Sequence, residues 1–259
     1  MKRLAAALAA FAVLVSAVPA SAKLRTKLVE YKDGSAVLQG YAAWDDSFKG
    51  PRPGVLIAHE WWGFGPYVQR RARMLAKLGY RAFALDMYGK GVHTDDHKKA
   101  AELSGAQFND RTLMRRRAML GLKQLEAMPG VDKTRLAAIG YCFGGAAVLE
   151  LARMGADLRG VVAFHGALAT PTPATEKPKA KILVMVGADD PMVGPQVPGF
   201  VAEMKKVRAD WEMITYGGAV HSFTVREAGN DPSTGMAYDA QADARSWQAM
   251  KDFFAEVLR

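Results

Sequence analysis

Short, fully apolar runs alternate along this chain with longer segments whose apolar positions recur every three or four residues. Val55-Leu56-Ile57-Ala58 and the runs at 81–85, 135–139, 158–164, 182–186 and 211–216 read as strands buried on both faces. Between them, 66–78 places Val68, Ala72, Leu75 and Leu78 on one helical face, with Pro66 at its start and Gly79 after its end. Helices are expected over 94–106, over 110–128, where Met114, Ala118, Leu122 and Leu125 fall in step, and over 196–208. A last one carries Trp247, Met250, Phe254 and Val257. The segments 27–31 and 35–44 flank Lys32-Asp33-Gly34, a hairpin signal, so two antiparallel strands open the sheet. The Pro- and Thr-rich stretch 170–179 reads as an exposed loop. Strand followed by helix, repeated, predicts an α/β fold: a mostly parallel, doubly wound sheet with helices on both faces.

The first residues change the picture. Lys2-Arg3, an apolar run over 4–18 and Ala20-Ser21-Ala22 have the form of a secretory signal peptide over 1–22, cleaved after Ala22. The expected mature chain is a single domain, 23–259, exported to the periplasm or secreted, with no stable membrane insertion once the leader is removed. One cysteine cannot form an internal disulfide, so stability must come from packing, and a thiol kept in an oxidising compartment suggests a chemical role. The formal charge of +9 becomes +7 without Lys2 and Arg3. Its clusters, Arg70-Arg71-Arg73, Lys98-Lys99 and Arg115-Arg116-Arg117, read as solvated helix faces. They lack the recognition motif or interleaved aromatics of a nucleic-acid surface, so no nucleic-acid partner is expected, and the expected state is a monomer.

The single thiol sits in Gly140-Tyr141-Cys142-Phe143-Gly144-Gly145, between a strand and a helix. Glycines on both sides suit a sharp turn that holds the sulfur out at the sheet edge, over a helix N-terminus. A thiol nucleophile needs a base and a group to orient it. Later strands run into Ala188-Asp189-Asp190 and into Gly217-Gly218-Ala219-Val220-His221, so nucleophile, acid and histidine follow in the order used by α/β-hydrolases. Spacing alone does not separate Asp189 from Asp190. His165 also follows a strand but precedes the acid in sequence, which leaves it a pocket-lining role. Glu60, directly after an apolar strand, is a carboxylate whose burial is costly unless it serves a purpose.

His59-Glu60-x-x-Gly63, Gly140-x-Cys142-x-Gly144-Gly145, Gly187-x-x-Asp190-x-x-Val193 and Gly218-Ala219-x-His221-x-Phe223 together make the chain resemble the dienelactone hydrolase family. The resemblance implies an α/β-hydrolase fold and cleavage of a small ester or lactone. It implies Cys142 as nucleophile, His221 as base, Asp190 rather than Asp189 as the acid, and Glu60 as an extra acidic group near the thiol. The N–H groups of Phe143 and Trp61 are the expected oxyanion donors. Lactone-cleaving members hold the substrate carboxylate with arginines; at comparable places stand Lys90, after Met87-Tyr88, and Arg226, past His221. Trp62, Tyr88, Lys90, His165, Phe223 and Arg226 are therefore the expected substrate-binding residues. No cofactor is expected. Nor is a metal: His93 and His97, with Asp95 and Asp96 between them, have no third His or Cys nearby, and Thr94-Asp95-Asp96 serves as a helix start. Competing functions are a non-catalytic small-molecule binding protein and a redox-reactive thiol protein on the same fold.

Overall fold

The computed structural model describes residues 23–259, and the expected signal peptide lies outside them. Among the described residues, eight strands form one sheet: β1 (Leu24–Asp33), β2 (Ala36–Asp45), β3 (Arg52–Ala58), β4 (Arg81–Leu85), β5 (Val131–Tyr141), β6 (Gly160–Phe164), β7 (Lys181–Gly187) and β8 (Trp211–Tyr216). Their order across the sheet is β1-β2-β4-β3-β5-β6-β7-β8. The β1–β2 and β2–β4 pairs are antiparallel; every pair from β4 to β8 is parallel. The hairpin and the parallel sheet are those the hydrophobic pattern predicts.

Side chains alternate across the sheet, so an apolar run must fill two cores at once. Leu56 and Ala58 of β3 face one core, with α3 (Arg111–Glu126), α4 (Phe143–Arg153) and α5 (Val197–Lys206). Val55 and Ile57 face the other, with α1 (Pro66–Lys77) and α6 (Ala240–Val257). Helix starts follow local chemistry. Asp96 accepts a hydrogen bond from the Lys99 N–H and so sets the first residue of α2 (His97–Asn109) three positions later than the apolar pattern alone suggests. Asp110 caps α3 in the same way, through the Leu113 N–H.

Two details of α1 correct the periodicity. Leu78 lies past the end of the helix and is exposed, because the chain turns there toward Gly79. Arg71 does not belong to a solvated face: it is 3% exposed. Its position is i+3 from Val68 and i−4 from Leu75, on the buried stripe. Its guanidinium is sandwiched among the rings of Tyr67, Tyr141 and Trp247 and ion-pairs with Asp243 of α6 at 2.7 Å. The paired carboxylate and the ring faces offset the desolvation of that charge.

Candidate active site

Four parallel strands end on the same edge of the sheet, and each delivers one polar group there. Glu60 follows β3, Cys142 follows β5, Asp190 follows β7 and His221 follows β8. In open parallel sheets this edge is where sites form, because loops there can converge without breaking a ladder.

Cys142 lies in the turn between β5 and α4 with φ 52° and ψ −116°, a conformation that L residues rarely adopt. The turn is held by the Cys142 N–H donating to the Phe164 carbonyl and by the Cys142 carbonyl accepting from the Gly145 N–H. The flanking glycines are steric necessities: a Cβ on Gly140 would fall 2.0 Å from the Gly144 carbonyl oxygen, and one on Gly144 would fall 2.3 Å from the Ala58 carbonyl oxygen. The sulfur is thereby left half-buried at the start of α4.

His221 Nε2 stands 3.1 Å from Cys142 Sγ, and His221 Nδ1 stands 2.8 Å from Asp190 Oδ2. The other carboxylate oxygen of Asp190 accepts the N–H groups of Met192 and Val193, so the acid is fixed before it meets the ring. Asp189 is exposed, so of the two adjacent carboxylates it is Asp190 that faces the ring. The histidine loop is pinned on both sides: the His221 N–H donates to the Gly235 carbonyl, and the His221 carbonyl accepts from the Ala237 N–H. Burial opposes a charge on His221, but the Cys142 sulfur and the Asp190 carboxylate outweigh it and raise the imidazole to about 10. The site favours the charged imidazolium.

Glu60 is buried, and burial pushes its carboxyl up to about 7, against the pull of His221 and Arg71. Its loop is organised by His59. The Met87 N–H donates to His59 Nε2, so Nδ1 carries the proton and donates it to the Glu60 carbonyl. Burial also keeps the His59 imidazole low, which fits this neutral form. The next residue, Trp61, is held by Tyr88, whose hydroxyl donates to the Trp61 carbonyl. The Trp61 and Phe143 N–H groups have no hydrogen-bond acceptor among the described residues, leaving both available to an incoming oxyanion.

A cavity of about 650 Å³ opens beside these groups, lined by Glu60, Trp61, Trp62, Tyr67, His97, Met236 and others. Neither Cys142 nor His221 is among its lining residues; Ser222, next to the histidine, and Glu60 lie in the wall. Of the expected substrate-binding residues, Trp62 lines the cavity. Tyr88 packs behind it against His59 and Phe143. Phe223 is fully buried against His165. His165 is fully buried too, and burial, with the nearby His221 charge, drives its imidazole well down and keeps it neutral. Its ring meets that of His221 edge-on at 5.2 Å, so it packs against that ring rather than lining the pocket. Lys90 and Arg226 do not reach the cavity. Lys90 pairs with Glu30 of β1 at 2.6 Å, and Arg226 lies over the Tyr238 ring.

Sequence reasoning missed a network behind His221. His165 Nε2 and the Tyr67 hydroxyl both meet Thr224 Oγ1 at 2.7 Å, and Arg71 donates to the Tyr67 hydroxyl and to the Thr224 carbonyl. The available signal was Arg71 falling on the apolar stripe of α1, with Tyr67 one turn before it. Among the described residues no group of three or more His, Cys, Asp or Glu is arranged to hold a metal ion, and His93 and His97 belong to the cavity wall.

Comparison with known proteins places this geometry. The model of the dienelactone hydrolase family matches residues 38–258. A solved dienelactone hydrolase-like promiscuous phosphotriesterase from metagenomic libraries is 40% identical, with a TM-score of 0.86 over 92% of this chain and all of its own. A Caenorhabditis elegans protein of uncharacterized function is 38% identical over 142 residues, 53% of this chain and 89% of its own. A putative carboxymethylenebutenolidase of Yersinia pestis is 28% identical over 237 residues, covering 85% of this chain and 84% of its own. With its sheet order, its strand-end cysteine turn and a family match over nearly all the described residues, the chain belongs to the dienelactone hydrolase family.

Proposed function

We propose that the protein is an exported cysteine hydrolase that cleaves small ester or lactone substrates through an acyl-enzyme. The observation that carries this reading is the continuous path from Asp190 through His221 to Cys142, at 2.8 and 3.1 Å, on the rim of the parallel sheet. Cys142 Sγ, its proton held by His221 Nε2, attacks the substrate carbonyl. The oxygen that becomes negative is received by the N–H groups of Phe143 and Trp61, and the start of α4 adds its dipole. His221 returns the proton to the departing alkoxide. Water, deprotonated by the same ring, then cleaves the thioester, releasing the acid and restoring the thiol. Asp190 holds the imidazole in the tautomer these transfers require and stabilises its charged form.

Glu60 is the additional acidic group close to the pair, and its raised pKa keeps part of the population protonated near neutrality. The 40% identical relative described as a promiscuous phosphotriesterase supports a second reaction at the same thiol, attack on an uncharged phosphotriester. The exported localisation rests on the leader pattern over 1–22, and the cavity of about 650 Å³ is of a size for a small substrate.

The test is hydrolysis of a small aryl ester by the mature chain beginning at Lys23 and by its Cys142→Ala and His221→Ala variants, with intact-mass detection of the acylated wild-type enzyme. Turnover lost in both variants, with an acyl adduct on the wild type, is the expected result. Activity surviving both changes refutes the site. Binding without turnover points to the non-catalytic alternative, and a thiol that oxidises but never acylates points to the redox one. N-terminal sequencing of the exported protein and its elution volume on gel filtration test the leader and the monomer.

A further inference from the structure

The charge of the cavity runs opposite to that of the protein. The chain is strongly basic, yet no lysine or arginine is among the described residues that line the cavity, whereas Glu60, Asp95 and Glu227 are. The cations nearby are already committed. Arg71 is paired with Asp243 behind the wall, Arg70 pairs with Glu227 at 3.4 Å on the surface, Lys90 with Glu30, and Arg226 lies over Tyr238. The rest of the wall is largely apolar or aromatic. Trp61 and Trp62 contact each other at 4.8 Å, and His97 meets both rings edge-on.

A carboxylate entering this space would give up its hydration without gaining a cationic partner, and it would face carboxylates of the same sign. Resting on the hydrolase reading above, we infer that the cavity selects esters with an uncharged aromatic or apolar body and rejects esters that carry a carboxylate. Trp61 and Trp62 supply flat apolar contact, and Asp95, together with Glu227, whose charge the exposed Arg70 offsets only in part at 3.4 Å, keeps the wall negative. The substrate class is then neutral esters, lactones or triesters rather than the anionic lactones for which a family member would need an arginine clamp.

The experiment compares 4-isopropylphenyl acetate with 4-carboxyphenyl acetate, each kcat/KM divided by the ester's own hydroxide-catalysed rate, at low ionic strength. A second pair, phenyl valerate and phenyl hydrogen succinate, moves the charge to the acyl side. The neutral member of each pair is expected to be favoured by at least about tenfold. The Asp95→Lys/Glu227→Lys double variant, which changes two exposed side chains, is expected to narrow that ratio by at least about threefold. Carboxylate esters turned over as fast as neutral ones, or a ratio unmoved by the charge reversal, overturn the inference. A readout independent of turnover separates its failure from that of the hydrolase reading: quenching of tryptophan fluorescence by benzamide and by benzoate. Benzamide bound and benzoate excluded upholds the selectivity even if no ester is cleaved. Equal binding, or no binding of benzamide, overturns it.

Discussion

Replacing Glu60 by glutamine should make the protein more stable at neutral and alkaline pH, and the gain can be sized from its surroundings. The carboxyl sits among buried groups, and burial raises it from the ordinary 4.5 to about 7. A folded state that binds the proton more tightly than the unfolded one gains from acid and loses as the pH rises. Below 4.5 both states hold the proton, and Glu60 costs nothing through ionisation. Between 4.5 and about 7 the unfolded chain ionises first, so native stability falls. Above 7 both states are ionised, and the penalty levels off at about 3 kcal/mol, since each tenfold change in proton affinity is worth about 1.4 kcal/mol. The glutamine amide keeps the shape of the protonated acid and has no charge to bury. His221 contributes in the same sense, its stabilisation complete below 6.5 and lost as the pH passes about 10; both proteins carry it, so the comparison removes it except for its attraction to the Glu60 carboxylate. Guanidinium unfolding of the wild type and Glu60→Gln from pH 4 to 9 should therefore give curves that coincide in acid, apart from a constant offset, and separate by about 3 kcal/mol by pH 8. A stability difference independent of pH would refute the claim that this carboxylate is held against its solvation.

Three further outcomes are expected. Asp190→Asn should lower kcat/KM by about 10³–10⁴-fold, because an amide facing Nδ1 favours the ring tautomer that places N–H rather than a lone pair toward the sulfur; far-UV circular dichroism and melting should be little changed. Arg71→Met should cost about 3–5 kcal/mol in urea unfolding, because Asp243 is left mostly buried without its partner, and Arg71→Met/Asp243→Leu should recover part of that loss. Gly140→Ala should prevent accumulation of folded protein, seen as insoluble expression, because its methyl group would overlap the backbone of the helix that follows Cys142.

The frame of the molecule was legible in the sequence because the apolar runs have no polar face to mislead: Val55 to Ala58 can only fill two cores at once, and β3 does so. The cysteine turn, the histidine and the later acid were legible for a related reason, since each follows a strand and parallel strands end on one edge. Asp189 and Asp190 were not separable by position, because only the capping N–H groups of Met192 and Val193 and the facing imidazole distinguish them. Reading Arg71 as solvated weighs its charge over its register; its partners Asp243 and Trp247 lie far downstream on the last helix, beyond any local pattern. Sequence offset alone puts Lys90 and Arg226 near substrate; their neighbours, Glu30 and Tyr238, belong to segments that no offset encodes.

The loop after β3 is stitched to the segment before α2 by the Gly63–His93 bridge and by the Thr94 N–H donating to the Trp62 carbonyl. These two stretches form much of the chamber, while the sulfur, imidazole and Asp190 hang from other strand ends. Diversity at 92–97 can therefore reshape the chamber while Cys142, His221 and Asp190 keep their spacing. A library confined to that short segment is the natural starting material for steering this scaffold toward new compounds.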